Sequence, residues 1–273
     1  MSDSAALDRY DVVLIARHDD GVAIRLRECL QLRGARVALV DGPGAARLFT
    51  VRGTQEGTAV TPQLPVFIRP SAWWHVDTDD SADARFLRGE CHATFWAALA
   101  LTDATVINRL RRTGAIHRLT AAALAGSPTA GRAPVVESFA SGPDQFDDAE
   151  GLWGEDIDYR TGALATLSAD VPLRARRVEI DAGYEIVTVV GERAFAATTH
   201  PRTLGASLGP RSVGLVAGAG LHFATVTWAL TAEDELPVRL NPAPDESELR
   251  YVWSDVSAAL CADLWPGSRQ EAA

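Results

Sequence analysis

The feature that most constrains the fold is a short apolar run near the start of the sequence. Residues 11–16 read DVVLIA, without the polar alternation of a half-exposed strand. Such a run is typical of a strand buried on both faces of a parallel sheet. An amphipathic helical pattern over 21–33 and a second apolar run at 36–40 follow, with Gly34 ending the helix. The sequence therefore opens with a predicted βαβ unit.

The second half of the sequence has a different pattern, typical of antiparallel strands. A hairpin is predicted over 185–199 with its turn at Gly191-Glu192. Further strands are predicted at 223–230 and 237–241. Only short strands are expected between 133 and 178.

Helices complete the predicted organisation. One is expected at 113–125, and a final amphipathic helix at 246–264 starts at a capping-box-like pair, Asp245 and Glu248. The predicted class is α/β, with α+β character in the C-terminal part. The expected domains are an N-terminal α/β domain at 1–112, a reduced central lobe at 113–184, and a C-terminal lobe at 185–273.

Composition excludes several classes of function. The chain has 273 residues, a net charge of -10 and no lysine. A nucleic-acid groove normally needs a basic stripe, so nucleic-acid binding is not expected. Without lysine, the chain can form neither a lysine Schiff base nor a lysine phosphate clamp.

Cysteine content and hydropathy indicate the compartment. Cys29, Cys91 and Cys261 form no CxxC pair, which argues against a zinc site or a disulfide scaffold and fits a reducing cytosol. The start of the chain does not resemble a secretion signal, and no apolar run is long enough to span a bilayer. We expect a cytoplasmic protein without membrane contact.

Four segments together resemble a known superfamily. They are 67–70 with Glu90 downstream, 106–109 followed by His117-Arg118-Leu119, 184–197, and 223–244. In this order they resemble the ATP-grasp superfamily, most closely its peptide-modifying branch of graspetide macrocyclases and RimK-like ligases. The resemblance implies a pre-grasp domain, a grasp domain, and a cleft between them that binds Mg-ATP.

The sequence departs from that superfamily at the residues that carry its chemistry. The resemblance implies a metal-binding Asp on one strand and Glu-x-Asn on the next. These positions hold Thr227 and Arg239, and only Asn241 remains. The hairpin arginine falls on Ile186, and the phosphate-binding lysines are missing. Since Mg²⁺ prefers carboxylate oxygens, a cationic Arg239 opposes metal binding there.

Candidate site residues cluster around this position and the hairpin. The catalytic candidates are Arg239, Asn241 and His200. The candidates for cofactor binding are Glu185, Arg193 and Arg202. No metal site is expected, although Glu185, Asp234 or Glu235 could act as replacement ligands, and arginine could replace lysine on phosphate.

Two functions remain open from the sequence. The first is an ATP-grasp-fold protein of a natural-product or peptide-modification pathway that works without the usual Mg-ATP chemistry. It would need no cofactor and would bind a peptide, a small molecule or an active ligase partner, as a homodimer or heteromer. The second is a diverged, active carboxylate–amine or carboxylate–hydroxyl ligase using ATP and magnesium, or an enzyme reusing the cleft without ATP.

Overall fold

A computed structural model describes residues 10–55, 57–69, 81–109, 119–120, 136–140, 152–153, 173–177, 184–196, 208–230 and 235–266. Within this part of the chain, no helix is both long and apolar enough to cross a membrane.

The predicted N-terminal βαβ unit is confirmed as part of a parallel four-stranded sheet. Its strands, in the order β2-β1-β5-β6, are β1 Val12–Ile15, β2 Val37–Val40, β5 Val66–Ile68 and β6 Val106–Ile107. A separate hairpin is formed by β3 Thr50–Thr54 and β4 Gly57–Thr61. All residues of the four parallel strands are apolar, as expected for strands covered on both faces.

Capped helices connect these strands. They are α1 Gly21–Leu32, α2 Gly42–Leu48 and α3 Ala82–Leu101. Asp20, Asp41 and Ser81 cap their N-termini through side-chain oxygens that accept backbone N–H bonds. Beyond α1, Gly34 has φ +87°, a left-handed conformation that favours glycine.

The two faces of the parallel sheet enter different hydrophobic clusters. Val13 and Ile15 of β1 belong to a cluster that also contains residues of α2, α3 and β4. Val12 and Leu14 point the other way, into a cluster with α1 and with Val256 and other residues from the C-terminal end of the chain. The N-terminal sheet and the C-terminal helices therefore share one core.

The C-terminal part contains an antiparallel five-stranded sheet in the order β12-β11-β13-β14-β7. Its strands are β7 Leu119–Thr120, β11 Tyr184–Val190, β12 Arg193–Ala196, β13 Phe223–Leu230 and β14 Glu235–Asn241. The predicted hairpin is confirmed for the described residues up to Ala196, with Gly191 at φ +60° in its turn. Helix α4, Leu208–Gly218, packs on one face of this sheet.

Two sequence predictions need correction. The final helix is interrupted: α5 Glu246–Leu249 is followed by α6 Trp253–Leu264, because Val252 leaves helical geometry at φ −117° and ψ 3°. The predicted capping box of Asp245 and Glu248 is present. The predicted helix at 113–125 is wrong where it is described, since Leu119–Thr120 pairs with β14 as strand β7.

The short strands expected between 133 and 178 are present. They are β8 Val136–Ala140, β9 Leu152–Trp153 and β10 Leu173–Arg177, and they form a sheet in the order β8-β10-β9. Strand β7 lies within the predicted central lobe in sequence but joins the C-terminal sheet in space. The domain boundaries themselves stay a prediction.

Candidate functional site

Strands β13 and β14 carry polar residues at buried positions in the middle of the sheet. Thr227 lies directly opposite Arg239 in the antiparallel register, so the two side chains share one face. Thr227 is 1% exposed and Arg239 is 9% exposed. A guanidinium group is rarely buried to this degree, because removing its charge from water is costly.

A second row of polar residues lies beside the row of Thr227 and Arg239, on the same face of the sheet. Thr188 is opposite Thr225, and Thr225 is opposite Asn241, across β11, β13 and β14. Thr225 and Asn241 are each two residues along their strands from Thr227 and Arg239, so all four face the same way. The opposite face of the sheet is apolar where it meets α4. One face of the C-terminal sheet therefore has a buried polar centre.

The carboxylate of Glu248, on α5, binds this second row. Thr225 Oγ1 donates to Glu248 Oε1 at 3.0 Å, and Asn241 Nδ2 donates to Glu248 Oε2 at 2.7 Å. The backbone N–H of Asp245 also donates to Oε2, at 3.0 Å. These three donors compensate a buried carboxylate and fasten α5 to the sheet.

The same network sets the orientation of the Asn241 amide. Its Oδ1 accepts a hydrogen bond from the Ala243 backbone N–H at 3.1 Å. A backbone donor cannot face the amide NH₂ group, so the oxygen must lie toward Ala243 and the nitrogen toward Glu248. The amide oxygen, which is the atom that can ligate a cation, therefore points toward Ala243 and away from Glu248.

Comparison with known proteins identifies the fold. No protein-family model and no curated protein matches the sequence. The macrocyclase MdnC bound with precursor peptide MdnA, from Microcystis aeruginosa, superposes with a TM-score of 0.63 at 16% identity, covering 93% of this chain and 98% of that one. The chain has the ATP-grasp fold.

Further solved ATP-grasp structures agree with this assignment. The ATP-grasp ligase PsnB, complexed with minimal precursor, Mg and ADP, gives a TM-score of 0.62 at 15% identity over 93% of this chain and 98% of that one. A Chryseobacterium gregarium RiPP-associated ATP-grasp ligase, in complex with ADP and a leader and core peptide, gives 0.58 at 12% over 93% and 96%. The predicted resemblance to the peptide-modifying branch is confirmed at the level of the fold.

At the positions where the family resemblance predicts metal ligands, the side chains of this chain do not suit Mg²⁺. Magnesium requires octahedral oxygen ligands, usually including carboxylates. Thr227 offers a hydroxyl, Arg239 offers only hydrogen-bond donors, and Asn241 offers one amide oxygen, so none of the three is a carboxylate. Elsewhere in the described residues, no group of three or more His, Cys, Asp or Glu side chains is placed to hold a metal.

Glu185 was predicted to bind a cofactor or to replace a metal ligand. It is buried on β11 at 5% exposure and lies opposite Trp228. Ile186, the next residue, lies opposite Thr227, so strand alternation puts Glu185 on the other face of the sheet from Thr227 and Arg239. The structure does not bring Glu185 together with Asn241.

The other predicted cofactor ligands are separated from the polar rows or not described. Arg193 reaches α6, where its Nη2 binds both carboxylate oxygens of Asp263 at 2.6 Å and the Ala259 carbonyl at 3.2 Å. Its contacts fasten the hairpin to the last helix. His200 and Arg202 lie outside the described residues, and their roles stay predictions.

Asn108 is a structural residue that sequence analysis did not select for the site. Its Nδ2 donates to the carbonyls of Phe223 and Pro242, at 2.7 and 3.1 Å. Its Oδ1 accepts from the N–H groups of His222 and Phe223, at 3.1 and 2.8 Å. Asn108 follows β6 directly and has φ 60°. A polar residue just after a buried parallel strand is the signal that could have identified it.

Arg69, directly after β5, makes a second connection. Its Nε binds Asp20 Oδ2 at 2.9 Å, and its Nη1 donates to the Pro244 carbonyl at 2.7 Å. Both side chains of the ion pair are buried, at 6% and 7% exposure. Together with Asn108, Arg69 holds the segment after β14 against the carboxyl end of the parallel sheet.

Proposed function

We propose that this chain is an ATP-grasp-fold protein of a natural-product or peptide-modification pathway that binds a peptide without the usual Mg-ATP chemistry. The polar face of its C-terminal sheet, which carries Thr227 and Arg239, would use Arg239 to bind an acidic group of the ligand. In this proposal the protein is cytoplasmic and acts alone, as a homodimer, or beside an active ligase.

The observation that carries the proposal is the direct pairing of Thr227 with Arg239. ATP-grasp ligases are expected to have carboxylates on these strands, whereas here a buried cation stands beside a hydroxyl. A cation at this place repels Mg²⁺ and attracts an anion by Coulomb interaction. Arginine suits a carboxylate in particular, because its planar guanidinium can donate two parallel hydrogen bonds.

A peptide ligand is supported by the structural relatives. MdnC was solved with the precursor peptide MdnA, and PsnB with a minimal precursor. These facts concern those proteins, at 15–16% identity to this chain. Their shared fold makes a peptide with acidic side chains the first ligand class to test.

A second candidate is a diverged, active ATP-dependent carboxylate–amine or carboxylate–hydroxyl ligase. Support for it comes from PsnB, which was solved with Mg and ADP. In this alternative, arginines would replace the missing lysines, and the metal ligands would come from residues other than Thr227 and Arg239. An ATP-independent reaction using Arg239 and His200 is a further variant of an enzymatic role.

Isothermal titration of the full chain with Mg-ATP separates the two candidates. The proposal expects no heat beyond dilution, whereas Mg²⁺-dependent binding with a Kd tighter than about 100 μM would overturn it. The double variant Thr227→Asp, Arg239→Glu restores the carboxylates of an ATP-grasp metal site and is titrated in parallel. ADP release in the presence of acidic peptides would support the ligase, and unchanged turnover in Arg239→Ala would remove Arg239 from its mechanism.

Peptide binding is tested with a displayed random peptide library. The proposal expects the wild-type chain to enrich sequences that contain Asp or Glu, and Arg239→Gln to lose that preference. Arg36→Gln is the matched control, since Arg36 is an exposed arginine paired with Asp11 away from this sheet. Enrichment that is the same in all three proteins would contradict a role for Arg239.

A further inference from the structure

A β-bulge in β14 changes which side chains lie beside Arg239. Thr227 of β13 is opposite Arg239 of β14, but the next residue, Trp228, is opposite Pro237. Strand β14 therefore has one extra residue at this point, Val238. A proline within a strand is typical of such a bulge, and bulges often redirect side chains next to binding sites.

The extra residue, Val238, belongs to a small apolar cluster on the polar face. The other buried members are Ala229 of β13 and Leu236 of β14, which lie opposite each other, and Tyr184 of β11 packs against them. Ala229 is two residues along β13 from the residue opposite Arg239, so the cluster and Arg239 share one face. Without the bulge, strand alternation would place Val238 and Arg239 on opposite faces.

This cluster differs from the other hydrophobic clusters in its composition. Each of the other three contains residues of at least one helix. Within the described part of the chain, the cluster at Val238 contains residues of the C-terminal sheet only. The polar face thus has an apolar end that no described helix joins, next to a cation. Ligand sites commonly combine an apolar lining with a few polar groups in this way.

The first strand of the hairpin, β11, forms the partly open side of this face. Its residues Tyr184 and Ile186 are both partly exposed. They lie opposite Ala229 and Thr227, so they point to the face that carries Arg239. A ligand that enters over β11 therefore meets the apolar cluster and the Thr227–Arg239 row side by side.

We propose that this face recognises an extended peptide in which an acidic residue lies two positions from an apolar residue. The inference rests on the proposed function and specifies the class of peptide that the site would take. The carboxylate of the acidic residue pairs with Arg239, which has the complementary charge. The apolar side chain packs on Val238, Leu236 and Ala229.

The separation of two positions follows from strand geometry. Side chains on one face of a strand recur at every second residue, about 6.6–6.8 Å apart. This interval separates Thr227 from Ala229, and hence the row of Arg239 from the apolar cluster. An extended peptide has the same repeat, so an acidic residue and its second neighbour match the two parts of the site. The first neighbour points to the opposite side of the peptide and misses the cluster.

Fluorescence anisotropy of the full chain with short labelled peptides of serine and glycine tests the spacing. Each peptide has a central Glu, or Gln as its neutral counterpart, and a leucine one position away, two positions away or absent. Leucine two positions away, on the better side of Glu, should tighten binding about tenfold, and leucine one position away by less than about twofold. Equal gains at both positions, or no gain at either while Glu is preferred over Gln, would overturn the inference alone. No preference for Glu over Gln would overturn the proposed function with it.

Matched variants locate the apolar part of the site. Val238→Thr nearly keeps the shape of the side chain but adds a hydroxyl to the cluster, so it should remove the gain from leucine and keep the preference for Glu. Val213→Thr is the control, because Val213 lies on α4 and packs against the opposite face of the sheet. Ala229→Ser serves as a second variant if thermal denaturation shows that Val238→Thr is poorly folded. A gain from leucine that persists in the folded variant would contradict the assignment.

Discussion

The two main sheets distribute their polar side chains differently. The strands of the N-terminal parallel sheet are apolar, and its buried polar residues lie just beyond the strand ends, as Arg69 and Asn108 do. The C-terminal antiparallel sheet buries polar residues within its strands, including Thr225 and Arg239. Parallel strands covered on both faces have no place for such groups, whereas an antiparallel sheet can reserve one face.

The polar residues of the two sheets therefore have different roles. Polar groups beyond the ends of the parallel strands bind backbone carbonyls and a carboxylate of the same molecule, so they join the two parts of the fold. The polar residues in the middle of the C-terminal strands lie on one face of that sheet, and the row with Thr225 and Asn241 binds the Glu248 carboxylate. The row with Thr227 and Arg239 is the one that the proposed function would use.

The largest loss of unfolding free energy is expected for Arg69→Met. The change leaves the Asp20 carboxylate buried without its cation, which should cost about 3–5 kcal/mol of unfolding free energy, measured by urea denaturation. Arg36→Met is the matched control, because Arg36 pairs with Asp11 at the other end of the strands and is 57% exposed. Its loss should cost less than about 1 kcal/mol. Equal losses of unfolding free energy in Arg69→Met and Arg36→Met would contradict the expected difference between the two ends of the parallel sheet.

Asn108→Ala tests the other connection between the sheets. It removes the partners of four backbone groups and should cost about 3 kcal/mol in the same assay. Asn108→Gly loses the same hydrogen bonds but tolerates φ 60° without strain, so it should be about 1 kcal/mol less damaging than Asn108→Ala. If both variants lose little unfolding free energy, the hydrogen bonds of Asn108 do not hold the two sheets together.

The buried polar face is tested by two threonines that lie opposite each other. Thr225→Val removes the donor to Glu248 and should cost about 1–2 kcal/mol. Thr188 Oγ1 is buried and has no hydrogen-bond partner within the described part of the chain. Thr188→Val should therefore be neutral or stabilise by up to about 1 kcal/mol. Thermal denaturation compares them, and a destabilising Thr188→Val would mean that the hydroxyl is satisfied.

The smallest change in stability is expected for the pair of Asp11 and Arg36 at the exposed end of the parallel sheet, and this change depends on pH. The hydrogen bond from Arg36 lowers the pKa of Asp11 below its ordinary value of 3.8. Because the folded pKa is the lower one, the pair stabilises the fold above pH 3.8 and loses this contribution as the pH falls through the folded pKa. The unfolding free energies of wild type and Asp11→Asn should differ by less than about 1 kcal/mol near pH 6 and converge in acid. A constant difference down to pH 2 would contradict this.

Much of the fold could be predicted from local patterns. The apolar run of β1, the stripe of α1 and the turn at Gly191 depend on neighbouring residues only, and the structure has all three. The capping box of Asp245 and Glu248 was likewise predicted from spacing. The helix predicted at 113–125 was wrong at Leu119–Thr120, because pairing with β14 overrides local helix propensity.

The candidate site was predictable only in part. The pairing of Thr227 with Arg239 follows from the strand register. Arg239 was selected from the sequence as a site residue, and Thr227 was identified as the residue where the resemblance implies a metal-binding Asp. Glu185 was also selected from the hairpin segment of the resemblance. Neighbouring residues of a strand point to opposite faces of the sheet, so Glu185 points away from the face with Thr227 and Arg239. The second role of Glu248, as the acceptor for Thr225 and Asn241, has no sequence signal beyond its role in the capping box.

The sequence by itself determined which segments form most of the strands and helices, where several helices are capped, and which chemical groups β13 and β14 carry. Those properties depend on residues a few positions apart. Only the tertiary structure decided that Asn108 meets Pro242 and that Arg69 meets Pro244. Such contacts join residues 134 and 175 positions apart, so they depend on how whole elements pack, which no local pattern specifies.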